Sequence, residues 1–336
     1  MESRFFSRHS SDVSICELCP RQCKLKEGQR GFCFVRKNID GAVVLTAYGR
    51  SSGFAVDPIE KKPLNHFLPG SRVFSFGTAG CNLGCKFCQN WDMSKSRSDH
   101  TLSREASPED IAFTAEQAGC ESVAFTYNDP VIFAEYAVDT ARACHDLGIK
   151  TVAVTAGYIS ARARPYFFKP MDAVNVDLKS IQPDFYRKMA AGKLEPVLET
   201  LLYLKHETSI WMEMTHLIIP GHNDSQADLE KLCQWVVEHL GTDVPLHFTA
   251  FHPAYKLSTI PRTPNQTLLR AREIAKQAGV DYIYLGNCRI HDASHTFCHH
   301  CGLILIQREG YRIQRNRITI DGRCPDCKTV IPGIYN

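Results

Sequence analysis

Val73-Phe74-Ser75-Phe76 runs into Gly77-Thr78-Ala79-Gly80-Cys81-Asn82-Leu83-Gly84-Cys85-Lys86-Phe87-Cys88, a strand-like segment that ends in a glycine-broken loop carrying three thiols. Valine and phenylalanine suit a pleated, half-buried surface, and the glycines stop the strand just before the first cysteine. Outward from this point, short β-branched or aromatic runs alternate with longer stretches of helical period as far as Gly286, the pattern of βα units around a parallel sheet.

The spacing predicts strands at Val73–Phe76, Ser122–Thr126, Thr151–Thr155, Ala173–Asp177, Trp211–Ile219, Leu246–Phe251 and Tyr282–Leu285. It predicts helices at Pro108–Gly119, Val131–Leu147, Ser160–Phe168, Glu195–Lys205, Gln226–Leu240 and Thr267–Ala278. Ser107-Pro108-Glu109-Asp110 marks one start, a serine N-cap ahead of proline at the first helical position. Six or more such units over about 215 residues fall short of the eight in a closed barrel of ~250 residues. The expected fold class is therefore α/β, a partial (β/α)6-type open TIM barrel with a Cys-rich N-terminal segment and a C-terminal zinc-ribbon-like module. Residues 1–56, 57–290 and 291–336 are the expected boundaries. The polar signals gather after successive strands: Cys81, then Tyr127-Asn128-Asp129-Pro130, then Ala156-Gly157. Ligands of parallel α/β folds sit at those carboxyl ends.

Cysteine is the compositional outlier, at 15 in 336 residues. No apolar run approaches the roughly 20 residues of a membrane span, and the start Met1-Glu2-Ser3-Arg4-Phe5-Phe6 lacks the core of a signal peptide. A cytoplasmic location is expected, where thiols stay reduced and disulfides are the weaker explanation. Lys+Arg 39 against Asp+Glu 36 gives a net charge of +3, so neither nucleic acid nor a membrane surface is indicated.

Eleven of the cysteines fall into three groups with ligand-like spacing. Cys81, Cys85 and Cys88 supply three thiolates; on a [4Fe–4S] cluster that leaves one iron open for chemistry. The competing explanation is a zinc ion that borrows a fourth ligand such as His66 or His100. Cys298-His299-His300-Cys301 and Cys324-Pro325-Asp326-Cys327 are paired knuckles in zinc-ribbon layout, with zinc preferred to iron and His299 and His300 in reserve. Strand-like Leu303–Gln307 and Tyr311–Ile320 lie between the knuckles. Cys16, Cys19, Cys23 and Cys33 form neither a ferredoxin run nor a clean knuckle pair. Zinc is the first reading there, an auxiliary [4Fe–4S] cluster the second and redox thiols the third, since this apolar-poor segment needs a staple. Cys120, Cys144, Cys233 and Cys288 read as inert buried thiols.

Cys-x3-Cys-x2-Cys after the first strand, with Phe87 just before the last thiol, resembles the radical S-adenosylmethionine (SAM) superfamily, and within it the pyruvate formate-lyase activating branch. The resemblance implies that SAM chelates the open iron and is cleaved by one electron to methionine and a 5′-deoxyadenosyl radical. Thr126-Tyr127-Asn128-Asp129-Pro130 looks like the element holding SAM's amino group, with Asp129 in place of the more usual Glu. Asp177-Leu178-Lys179 resembles the family's charged pair near the cleavage site, Ile219-Pro220-Gly221 its turn after the fifth strand, and His252 a histidine close to SAM. Asn128, Asp129, Asp177, Lys179 and His252 are thus the implied cofactor residues, Asp177 and Lys179 also the implied catalytic pair. Taken alone, Asp177 and Lys179 read as a salt-bridged strand end and His252 as a core histidine.

Cys16-Glu17-Leu18-Cys19-Pro20-Arg21-Gln22-Cys23, Gly31-Phe32-Cys33 and Asp57-Pro58-Ile59-Glu60-Lys61-Lys62-Pro63-Leu64-Asn65-His66-Phe67 extend the likeness to the radical SAM member of the AmmeMemoRadiSam system. That resemblance implies AMMECR1-like and Memo-like partners and a reductant such as flavodoxin or ferredoxin. The expected function is hydrogen-atom abstraction from an unidentified substrate by an oxidoreductase-type radical SAM enzyme. A glycyl-radical activating enzyme and a non-catalytic metal-binding scaffold are the alternatives.

Overall fold

Val, Phe and Ala fill the strands because most of their positions are covered on both faces, as in a parallel sheet clothed by helices. The computed structural model describes every residue except Ser11, residues 99–103 and Asn336, so His100 lies outside the described residues. Two compact units are formed: Met1–Asp57, Arg72–Asp172 and Tyr186–Thr200 make one; Pro58–Ser71, Ala173–Phe185 and Leu201–Asn336 make the other. The fold is α/β with mostly parallel central strands, as in a partial TIM barrel.

In the first unit the parallel strands are β1 (Arg72–Gly77), β2 (Ser122–Phe125) and β3 (Lys150–Thr155). β2 pairs with both others, Val73 and Thr151 flanking its Ser122-Val123 start. Between them run α1 (Pro108–Gln117), closed by a reciprocal Ser107–Asp110 capping box, and α2 (Ala134–Asp146). The helix expected over 131–147 is split, because Pro130 opens a 3-10 turn over Pro130–Phe133 before the α-helix begins. The helix expected from Ser160 is confined to Arg164–Phe168.

The N-terminal residues hold more regular structure than their composition suggests. Phe6–Arg8, Val13–Cys16 and Lys24–Lys26 form a three-stranded antiparallel sheet. Arg36–Ile39 and Ala42–Leu45 make a hairpin whose turn residues Asp40 and Gly41 both have positive φ. Arg50–Pro58 is a nine-residue strand. Leu18, Leu25, Val35, Val43 and Leu45 are buried, so this segment has an apolar core beside its thiols. The Arg36 guanidinium, itself buried, meets buried Glu135 of α2 at 2.5 Å. Burial opposes ionisation of Glu135, but Arg36 outweighs it and holds the carboxyl below its ordinary range.

In the second unit β4 (Ala173–Asp177), β5 (Trp211–Ile218), β6 (Leu246–Ala250) and β7 (Ile283–Gly286) pair in that order, all parallel. α4 (Gln226–Leu240) and α5 (Asn265–Ala278) are the crossovers, α4 capped by Ser225 and α5 ended by Gly279 in the left-handed region. α3 (Glu195–Glu207) precedes β5 in the chain. A small antiparallel sheet of Thr296–Phe297, Ile304–Glu309 and Arg312–Asn316 follows. It shares a core with Tyr282 and Tyr284 through Leu305, Ile306 and Ile331. No helix among the described residues is long and apolar enough to cross a membrane.

Candidate functional site

The exit from β1 is shaped by a close approach. A Cβ at Gly77 would stand 2.5 Å from the Thr126 carbonyl and 2.6 Å from Asn128 Oδ1, so only glycine admits Asn128 there. Asn128 accepts from Thr78 N at 3.1 Å and donates to Thr78 Oγ1 at 3.2 Å and Gly80 O at 2.8 Å. Its side-chain amide thereby fixes the turn that delivers Cys81. Tyr127, at φ 71, supplies the kink that swings Asn128 inward.

Beyond Gly80 the thiol loop rests on a cradle of main-chain bonds. Leu83 N donates to Cys81 Sγ, and Gly84 N and Lys86 N donate to Ala190 O and Met189 O at 2.8 and 2.9 Å. Those carbonyls are the last two of a π-helical turn, Tyr186–Ala190, and being at its C-terminal end they have no intrahelical donor. Asn82 Nδ2 reaches Tyr158 O at 2.8 Å and Lys95 Nζ reaches Leu83 O at 2.9 Å. Cys88 Sγ lies 3.1 Å from Ser94 Oγ. Cys85 is buried; Cys81 and Cys88 are half-buried. Asp129 is buried and accepts from Thr155 Oγ1 at 2.8 Å and from Val131 N. Burial pushes the Cys81 thiol up and the Asp129 charge adds to it, while Lys95 acts in the opposite sense.

Three thiols on one braced loop, with N–H donors on sulfur, suit an iron–sulfur cluster better than a single ion. Among the described residues, the one set of three or more candidate ligands whose donor atoms all fall within 4.8 Å is the C-terminal four. The sulfurs of Cys81, Cys85 and Cys88 do not all fall within that limit. His66 does not offer itself to zinc. Its Nδ1 donates to Pro332 O at 2.7 Å, leaving Nε2 to accept from Tyr284 OH at 2.6 Å.

The remaining expected residues belong to the second unit. At the end of β4, Lys179 Nζ meets Asp177 Oδ2 at 2.9 Å, the carboxylate being about one-third exposed at 35%. Asn223, on the Pro220-Gly221 turn, donates to Lys179 O and Leu217 O and accepts from Ile219 N, so the turn braces the strand end carrying this pair. His252 is exposed, with Arg262 Nε 3.4 Å from its ring, and is no core histidine.

His216 escaped the sequence reading. It sits near the carboxyl end of β5, buried, with Nδ1 2.8 Å from Leu178 O. Nδ1 therefore carries the proton, and among the described residues Nε2 has no hydrogen-bond partner. Burial holds its pKa below the ordinary value against the Leu178 and Asn223 backbone, which raise it, and so favours a neutral ring. The signal was present in the sequence as a polar residue on the buried alternation Met212, Met214, His216.

The Radical SAM superfamily profile matches residues 76–236. An uncharacterized protein of Methanocaldococcus jannaschii is 40% identical over 327 residues, covering 97% of this chain and 96% of its own length. The chain belongs to the radical SAM superfamily. It is also similar to the pyruvate formate-lyase-activating enzyme of Listeria monocytogenes, 26% identical over 181 residues, which is 50% of this chain and 70% of that one. A radical SAM methyltransferase from Sphaerobacter thermophilus shares the fold at a TM-score of 0.51 and 16% identity, over 65% of this chain and 67% of its own.

Two further thiol sets accompany this radical SAM core. Cys298, Cys301, Cys324 and Cys327 close on one point, with sulfur–sulfur distances of 3.5 Å for Cys298–Cys327 and 3.7 Å for Cys301–Cys324. Tetrahedral zinc with bonds of about 2.3 Å sets its sulfurs about 3.8 Å apart, so the set fits a zinc-ribbon-like module. Of the reserve ligands, His299 is engaged with Tyr282 OH at 2.7 Å. In the first unit, Cys16, Cys19, Cys23 and Cys33 line one shared recess. Burial raises the Cys16 and Cys19 thiols and pushes Cys33 up to about 12. Cys120, Cys144 and Cys233 are buried, and Cys288 is half-buried.

Proposed function

We propose that this chain is a radical SAM enzyme that abstracts a hydrogen atom from its substrate, with Cys81, Cys85 and Cys88 as the ligands of a [4Fe–4S] cluster. When bound, the cluster and SAM supply the reductive cleavage that generates a 5′-deoxyadenosyl radical. Asn128 positions the ligand loop, and Asp129 presents a buried carboxylate at the adjoining strand end. Asp177 and Lys179 offer opposite charges to an ammonium and a carboxylate, the zwitterion at SAM's methionine end. His252 and neutral His216 are further polar groups for the same cofactor. The C-terminal four thiols hold zinc in this reading, and a flavodoxin or ferredoxin is the electron donor. The observation that carries the proposal is the glycine-admitted, Asn128-braced delivery of three spread thiols at the end of β1.

Similarity to a pyruvate formate-lyase-activating enzyme over half the chain favours one second reading, a glycyl-radical activating role on a protein partner. AMMECR1-like and Memo-like proteins are the candidate partners implied by the likeness of the cysteine-rich N-terminus, and a cytoplasmic setting suits the free thiols.

The test is 5′-deoxyadenosine formation after anaerobic reconstitution with iron and sulfide, in the presence of SAM and dithionite. Native protein forms it and Cys85→Ala loses it. Absence from reconstituted native protein would leave a metal-binding scaffold as the function.

A further inference from the structure

We infer that Cys16, Cys19, Cys23 and Cys33 bind a second [4Fe–4S] cluster, one thiolate to each iron, in the recess beside the Cys81 loop. The four side chains share one recess, lined also by Arg21 and Arg36. No three of their sulfurs lie within 4.8 Å of one another, although the C-terminal four satisfy that limit in the same molecule. One tetrahedral ion requires sulfurs about 3.8 Å apart. A cluster whose irons each take one thiolate spreads them further. Spread sulfurs around shared space are what the N-terminal group presents, and the Cys81 set has the same looseness.

Charge points the same way. Four thiolates on a cluster carry net negative charge, and such a group in a poorly hydrated recess calls for cations and N–H donors at its edge. Arg36 is neutralised by Glu135. Arg21 is different: its donors end on the Asn82 and Ala191 carbonyls, it lies 3.5 Å over the Phe32 ring, and among the described residues it has no carboxylate partner. Val131 and Ile132 supply the apolar wall that excludes water.

The recess adjoins the ligand loop of the first cluster. Gly80, next to Cys81, is packed so closely that a Cβ there would fall 2.0 Å from Cys33 O, at a φ of +84 that already favours glycine. Asn82, on the other side of Cys81, lines the recess and receives Arg21. With all four irons ligated by protein, this cluster has no open position for SAM, which separates its role from that of Cys81, Cys85 and Cys88.

The experiment uses the full chain reconstituted anaerobically with iron and sulfide, in native form and with Cys81→Ala, Cys85→Ala and Cys88→Ala combined. Iron, zinc and acid-labile sulfide are counted and the dithionite-reduced protein is examined by electron paramagnetic resonance. The triple variant is expected to retain about four irons and four sulfides, against about eight of each in native protein, with a spectrum that SAM does not alter. A Cys19→Ser, Cys23→Ser variant, whose Cys81 loop is intact, gives the reciprocal result, iron falling from about eight to about four. A triple variant that binds zinc or nothing, without labile sulfide, overturns the assignment, as does unchanged iron in the double variant. Because sulfide is counted in a variant that cannot turn over SAM, failure of the proposed reaction leaves this result standing.

Discussion

The two four-cysteine groups at opposite ends of the chain look alike as spacings and unlike as structures. The C-terminal four draw together around one point on a small three-stranded sheet, with Cys301 exposed. The N-terminal four stay apart around a recess, with Cys16 and Cys33 buried and an ion pair locked behind them. The difference teaches that a ligand count does not choose a metal. What chooses is how far the backbone holds the sulfurs from one another. Tight knuckles, such as Cys298 to Gly302 closed by a 2.9 Å main-chain bond, bring thiols onto one ion. In the N-terminal group Cys16, at the end of Val13–Cys16, is closed onto Cys23 by a 2.9 Å main-chain bond, while Cys33 comes from a separate segment before the Arg36–Ile39 hairpin.

The comparison breaks first at the C-terminal end. Cys324→Ala, or extraction by a strong chelator, tests the zinc proposed for this group, since binding is worth on the order of 10 kcal/mol in small zinc modules. The expected outcome is loss of one zinc per chain and rapid proteolysis within 296–316, with residues 72–286 protected on the same gel. Equal protection of both regions would show that the small sheet stands on its Tyr282, Leu305 and Ile331 core alone.

A smaller effect sharpens the N-terminal side. Glu135→Ala strands the Arg36 guanidinium as an unpaired buried charge, at a cost of about 3–5 kcal/mol. A urea midpoint lowered accordingly, and recovered in part by Arg36→Met in the same chain, is the expected result. A midpoint within experimental error of native would mean that the pair contributes nothing.

The smallest effect is pH-dependent and lies at His66, whose ring bonds Pro332 O. Burial lowers His66 from 6.5 to about 4; Glu213 opposes that shift, while Arg308 and His247 reinforce it. The unfolded chain therefore binds the extra proton first, so stability is full above pH 6.5 and falls as pH drops toward 4, by about 3 kcal/mol in all. His66→Gln should flatten that slope in unfolding curves measured between those pH values, and a slope identical to native would remove His66 as its cause.

Much of this was legible in the sequence where a local rule had no competitor. Gln226–Leu240 begins after a serine cap and ends at Gly241, and Ala173–Asp177 is a short β-prone run, so both were expected at these bounds. The thiol loop was equally plain. The N-terminal strands were not, because pieces of three or four residues among polar neighbours give no period to count. Asp40-Gly41 was an available hairpin signal that went unread. Arg50–Pro58 contains Gly53 and ends in proline, both of which argue locally against a strand that tertiary pairing nevertheless imposes. The π-helical turn behind the loop and the neutral state of His216 depend on partners far along the chain, and no local window contains them.

Arg21 and its acceptor Ala191 are 170 positions apart, and Arg36 and Glu135 are 99 apart. On a ribosome adding about 5–20 residues per second, the first of those contacts waits roughly ten to thirty seconds after Arg21 emerges. Throughout that interval Cys16 and Cys19 are already made, Cys23 and Cys33 soon follow, and all four thiols lie in a nascent chain that lacks the Arg21–Ala191 contact.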